Sequence, residues 1–302
     1  MNTLPRHPDG DGAPAPGRVA HARLDGRTQV RWDASRDWHV INDRVSFADR
    51  IAELEEYGKG AVFAPETFKH ETEVAVVKFR NGRVADTGGA MGHPDHPYLA
   101  VAPGCDGLLV ENPGQNPLDE ITVAGSSADC AMLAFSCRDR VFGLVHAGWK
   151  GVRRDVVGAA ASKLRDILGD DGAQDVRVVA SPMALVGYEF VREAYLREFA
   201  GLFERYGIDP KDVAEWAPGD RRGTEQPQGG EKVILHLWPI IAHVLACHGI
   251  TDVIPPAYDT LDPESGFPSH RRWTKDQQGP DRRFMTSVTW RRNGFLKDGT
   301  GV

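Results

Sequence analysis

Cysteine is scarce in this chain of 302 residues. Four occur, Cys105, Cys130, Cys137 and Cys247, and none falls in a CxxC spacing. That excludes a disulfide scaffold and fits a reducing, cytoplasmic compartment. Paired HxH motifs are missing, which leaves a multicopper centre without its ligand set. No apolar stretch approaches the length of a membrane span, and residues 1–17 have no apolar h-region of a secretory signal. A basic surplus is absent as well. The formal net charge is −7, so a general nucleic-acid binder is not expected. No internal repeat is evident. What is present, a hydrophobic content of 41%, supports a proper core. Residues 1–18 are expected to be a frayed tail and 19–302 a single catalytic domain.

The chain is organised around residues 127–151, SADCAMLAFSCRDRVFGLVHAGWKG. Apolar runs at 131–135 and 141–145 flank a polar stretch too short for a crossover, which predicts a β-hairpin. A turn centred on Arg138 pairs Met132 with Leu144, Ala134 with Phe142 and Cys130 with His146. Directly opposed Cβ atoms lie about 4.5–5.5 Å apart. One metal ion could then take sulfur at about 2.3 Å and nitrogen at about 2.0 Å, or the two could form a nucleophile and its base. Both hairpin faces are apolar, so a covered sheet is expected, with the polar pair at its rim. Asp129 precedes the cysteine, and the small residues after His146 let backbone approach a ligand closely.

SADC followed by VHAGWKG resembles the TADC and VHAGWRG signatures of the bacterial YfiH family, also called laccase-domain or polyphenol oxidase-like proteins and, more recently, purine nucleoside phosphorylases. The resemblance implies an α/β layered fold, a mixed sheet with flanking helices, related to toxin deamidases and other cysteine hydrolases. It also implies a zinc site holding Cys130 and His146. KHETEVAVV aligns with the family's QVHG-type histidine before a valine-rich strand, making His70 the third ligand. GCDGLLVEN is similar to the ADALVT strand and places Asp106 at its acid. GFPSHRR is similar to FFSYRRD, and its Arg271 has the fork geometry that suits phosphate or carboxylate. SPMALVGYEFV resembles GPAIGPCCYEV with departures: Ser181 replaces a glycine, Gly187 stands near a cysteine, and one residue is lost, so a reshaped pocket wall is expected. The family's glycine- and asparagine-bearing segment near residues 46–57 has no match.

Around these motifs the pattern predicts short strands within 19–40, a helix over 46–57 capped by Ser46, and strands at 73–79, 98–102, 107–111 and 121–124. A helix over 152–168 ended by Gly169 would point its N-terminal dipole at the site beside Lys150 and favour an anion. A strand at 175–180, a helix over 190–206, a mobile loop at 216–231, a helix over 239–247 with Cys247 in the core, and a strand at 284–290 complete the chain. His93 and His96 have a metal-compatible spacing, but Pro94 and Pro97 forbid a helix, and a solvated loop is expected.

The resulting expectation is a zinc enzyme in which His70, Cys130 and His146 hold the ion, with a single copper as the possible substitute. Asp129 or Asp106 handles a proton, and Arg271 with Lys150 orients phosphate. By the resemblance, the substrate is a purine nucleoside or related small molecule, cleaved by phosphate or deaminated by water. Two alternatives use the same residues: a metal-free hydrolase, an amidase or deamidase, with Cys130 as nucleophile and His146 as base, and a non-catalytic, metal-stabilised binding protein.

Overall fold

The computed structural model describes residues 19–38, 47–52, 54, 60–65, 68–93, 95–185, 187–216, 232–276 and 281–295. The expected tail at 1–18, the cap Ser46 and nearly all of the loop at 216–231 lie outside the described residues.

In chain order the elements begin with β1 (Val19–Arg23), β2 (Thr28–Asp33), α1 (Phe47–Ala52), β3 (Ala61–Pro65), β4 (Val74–Arg80), β5 (Arg83–Asp86), β6 (Met91–Gly92), β7 (Leu99–Ala102) and β8 (Gly107–Glu111). The central stretch gives β9 (Glu120–Ser127), β10 (Ala131–Cys137), β11 (Val141–Ala147), α2 (Trp149–Arg153), α3 (Val156–Leu168) and β12 (Arg177–Ala180). Then follow β13 (Tyr188–Val191), α4 (Arg192–Tyr206), β14 (Ala214–Trp216), β15 (Lys232–Leu235), α5 (Leu237–Cys247), β16 (Asp252–Ile254), α6 (His270–Asp276) and β17 (Phe284–Arg291).

Two mixed seven-stranded sheets carry the architecture, in the orders β1-β2-β17-β9-β3-β7-β6 and β16-β12-β10-β11-β8-β4-β5, and β13-β15-β14 form a small third sheet. The alternation of β4 explains the layering. Ala75, Val77 and Phe79 join a core shared with Phe63, Val123, Phe284 and Val288 of the first sheet. Val74 faces the opposite way, into a core closed by α3, α4 and α5. The central hairpin is therefore covered on both faces, as its two apolar faces require.

Its register differs from the expected one. The ladder runs from Ala131↔Ala147 to Cys137↔Val141, so Met132, not Cys130, faces His146. Arg138 adopts a left-handed φ of 47°, and the turn spans residues 138–140, closed by the Arg140 N–H to the Cys137 carbonyl at 3.0 Å. The slip is by two residues, and side-chain direction repeats every two. Cys130 and His146 thus stay on one face as diagonal rather than direct neighbours.

The expected helix over 152–168 is also split. The long piece, α3, begins at Val156, and Asp155 caps it in a left-handed conformation, accepting from the Gly158 N–H at 3.1 Å. Only the five-residue α2 follows His146 directly. The dipole of α3 is therefore answered by its own cap. Val157, Ala160, Ala161, Leu164 and Leu168 are buried as their spacing predicts, and Gly169 ends the helix at φ 81°. Cys247 is exposed rather than core. The buried stripe of α5 is Leu237, Ile240, Ile241, Val244 and Leu245, and 3.6 residues per turn put position 247 about a quarter turn off it.

Candidate metal centre

Three chain segments meet past the ends of β3 and β9 and at the end of β11. His70 follows β3, Cys130 follows β9, and His146 lies in β11. Their donor atoms all lie within 4.8 Å of one another. The register slip did not separate them, because it is by two residues and side-chain direction repeats every two. Phe68 stacks on His146 with centroids 4.4 Å apart, and His70 meets the same ring edge-on at 4.9 Å. Gly148 leaves the centre of the cluster open. A Cβ there would fall 2.7 Å from Cys130 Sγ, 3.2 Å from His70 and 3.3 Å from His146.

Asp106 positions both imidazole-bearing segments. Fully buried, it accepts the His70 N–H at 2.8 Å and the Glu71 N–H at 2.7 Å, and its Oδ1 lies 3.4 Å from His146 Nδ1. The two amide bonds stabilise the left-handed φ of 59° at His70, a conformation few non-glycine residues adopt. Burial opposes ionisation of this carboxyl, but the bonds from His146, Glu71 and His70 outweigh it and hold the pKa below its ordinary value. Asp106→Asn is therefore expected to weaken metal affinity by roughly 10–100-fold, measurable by competition with a chromophoric chelator.

Charge in the cluster is mutually sustained. Burial works against a Cys130 thiolate, yet the charge and hydrogen bond of His146, with those of His70, bring the thiol down to about 6. Burial likewise disfavours a charged His146, but Cys130 and Asp106 raise it to about 9. Each group thus favours the charged form of the other.

Asp129 lies beside the cysteine with its carboxylate turned to the scaffold. Thr260 Oγ1 donates to it at 2.7 Å and the Arg271 N–H at 2.7 Å. The Arg271 guanidinium donates to the Gly187 carbonyl and lies over the Tyr188 ring, 4.7 Å from its centroid. Lys150 is exposed, its ammonium 5.7 Å from the centroid of Trp149. No described contact joins Lys150 to Arg271.

Tyr188, not singled out for a role at the site, and Ser181, expected to reshape the pocket wall, adjoin the cluster. The Tyr188 hydroxyl donates to the Asp129 carbonyl at 3.2 Å and also contacts Cys130. Burial first, then the negative neighbours Cys130 and Asp129, keep it neutral by raising its pKa well above the ordinary value. The only signal for it was the YE pair shared with the family's CCYEV. Ser181, the departure from the family's glycine, is fully buried. It accepts the Met132 N–H and donates to the Pro182 carbonyl, each at 2.9 Å, and so anchors the strand entering the site. Ser181→Ala would leave that buried N–H short of a partner, and a loss of about 1–3 kcal/mol is expected in denaturant unfolding.

A mixed α/β fold of layered sheets thus gathers two imidazoles and a thiol into one candidate metal site. The chain belongs to the family described as multi-copper polyphenol oxidoreductase laccase, whose model matches residues 48–291. Among solved structures it is similar to YlmD from Geobacillus stearothermophilus, at 19% identity and a TM-score of 0.60, covering 89% of this chain and 93% of that one. It is also similar to the hypothetical protein YfiH of Bacillus licheniformis, at 19% identity and a TM-score of 0.56, covering 87% and 93%. A third is the Neisseria meningitidis protein NMB0706, at 14% identity and a TM-score of 0.59, covering 90% and 98%. These likenesses establish the fold. No curated protein is matched by the chain. Among the described residues no helix is long and apolar enough to cross a membrane.

Proposed function

We propose that the chain is a zinc-dependent enzyme acting on a purine nucleoside or a related small molecule, with His70, Cys130 and His146 as ligands. The observation that carries this reading is the convergence of two imidazoles and a depressed-pKa thiol around a space that only glycine at 148 leaves open. Three protein ligands are the pattern of catalytic rather than structural zinc. Zinc held by these residues would supply Lewis acidity, able to activate water or polarise a leaving group. The family description names copper, and the same ligands accept it. The absence of HxH pairs favours one ion over a multicopper cluster.

In this reading Asp106 holds the tautomer and aim of His146. Asp129 acts as a positioning residue, since its two oxygens already bind Thr260 and the Arg271 amide. Arg271 retains donor capacity beyond its bond to Gly187 and sits beside the site wall at Tyr188, where a phosphate or carboxylate of the substrate would be received. Lys150 contributes to the field around the opening rather than a fixed contact. Phosphorolysis or deamination is tested by adding inosine or adenosine, with and without phosphate, to zinc-loaded protein. Turnover of neither by a fully loaded preparation rejects the substrate assignment.

A second reading is favoured by one observation, the Cys130, His146 and Asp106 series, in which an acid orients a base beside a thiolate. An amidase or deamidase of this kind would keep its activity in chelator and lose it to iodoacetamide. The zinc reading expects the opposite: loss in chelator and protection of the thiol by metal.

A further inference from the structure

We propose that Asp49, His93 and His96 form a second metal site, for a zinc-class divalent cation, independent of the His70, Cys130 and His146 cluster. The two histidines lie in the solvated loop expected for them, and backbone bonds form a turn ahead of β7: the His93 N–H donates to the Leu99 carbonyl at 2.8 Å, and the Leu99 N–H returns to the His96 carbonyl at 3.0 Å. That turn brings the two imidazoles together, with ring centroids 4.9 Å apart. Asp49 of α1 completes the set, its Oδ1 lying 2.8 Å from His93 Nε2. The donor atoms of all three lie within 4.8 Å of one another.

The donor set selects the ion. Two imidazoles and one carboxylate suit zinc and its borderline neighbours, whereas calcium and magnesium take oxygen ligands. Three protein ligands leave positions for water or a small anion. A cavity of about 190 Å³ borders the cluster at His96, lined also by Ile51, Val62, Tyr98 and Leu99. That volume is below the range of about 300–1,000 Å³ for small-molecule pockets, and the lining is largely apolar. The His93 ring already donates to Asp49, and an entering cation displaces that proton.

Strand geometry keeps the two clusters apart. β3 and β9 run parallel with Val62 opposite Thr122, and Val62 also pairs with Leu99 of β7. The second site therefore lies at the level where β3 begins, while the first lies past Ser127, the end of β9. Five residues of strand at about 3.3 Å each separate those levels by roughly 17 Å. No single ion can serve both. Filled, the site fastens α1 to the turn before β7 at the edge of the first sheet.

The test uses the full chain without a histidine tag, stripped by chelator and dialysed against zinc alone. Two equivalents are expected for the native sequence and one for Cys130→Ser. The pair His93→Ala with His96→Ala should likewise hold one, at the thiol site. A single equivalent in the native protein that Cys130→Ser abolishes overturns the proposal, as does a second ion that survives the double substitution. Should that double variant not fold, the Cys130→Ser protein carries the test. Its melting temperature is expected to rise with zinc, and the rise should vanish when Asp49→Asn is added. Absence of the rise, or its persistence with Asp49→Asn, overturns the proposal.

Discussion

Replacing Cys130 by serine is expected to empty the His70, Cys130 and His146 centre of zinc and to lower turnover at least about 100-fold, beyond the 10–100-fold cost of losing a residue that only orients a ligand. The thiolate is the softest donor in the set, and its charge balances the cation. A hydroxyl at the same place ionises far less readily and cannot replace it. Elemental analysis beside the activity assay reads the effect directly.

The native thiol supplies a companion measurement in metal-free protein. Its pKa is lowered to about 6, so the thiolate persists above pH 6 and is lost as pH falls through that value. Iodoacetamide labelling of Cys130 should therefore be near its plateau at pH 7, where a free cysteine of pKa about 8.5 is only a few per cent ionised. Below pH 6 it should fall about tenfold per unit. His146, raised to about 9, keeps its charge over the same span, so the ion pair stands from about pH 6 to 9. Saturating zinc should suppress the labelling. A half-maximum near 8.5 would show that the imidazoles do not sustain the thiolate.

The second large effect is expected from a single methyl group. Gly148 has φ −70° and ψ 160°, an extended conformation alanine adopts freely, so Gly148→Ala imposes no backbone strain. Its Cβ would nevertheless stand 2.7 Å from Cys130 Sγ, closer than unbonded atoms come. The side chains must part, and they are the ligands. Zinc affinity should fall at least about 100-fold, while overpacking costs the metal-free chain about 1–3 kcal/mol. Calorimetric zinc titration and urea unfolding on one variant separate the two. Unchanged affinity would mean that the ion does not sit in the space this glycine leaves.

Much of the fold was legible in local pattern. Alternation along residues 74–79 sends Val74 and Ala75 into opposite cores, and the helical spacing from Val157 to Leu168 matches the face that is buried. Such signals survive because burial at periods of 2 and 3.6 is written into consecutive side chains. The hairpin itself was evident, but its register was not. It depends on how many residues the turn at 138–140 consumes, which rests on the left-handed backbone of Arg138 and on contacts of Asp139 with Arg27 and Trp290. The break between α2 and α3 was hidden for a similar reason. Asp155 caps α3 while receiving Arg205 and Tyr206 from another helix.

The amino-acid sequence by itself determined the layered α/β class, the apolar hairpin at its centre and the kinds of donor available for a metal. Only the tertiary structure decided that His70, Cys130 and His146 share one space, that Asp129 is committed to the scaffold, and that Asp49 joins His93 and His96. Periodicity describes neighbours along the chain, whereas these groups are brought together by sheet order and by loops whose paths are set through contacts with remote segments.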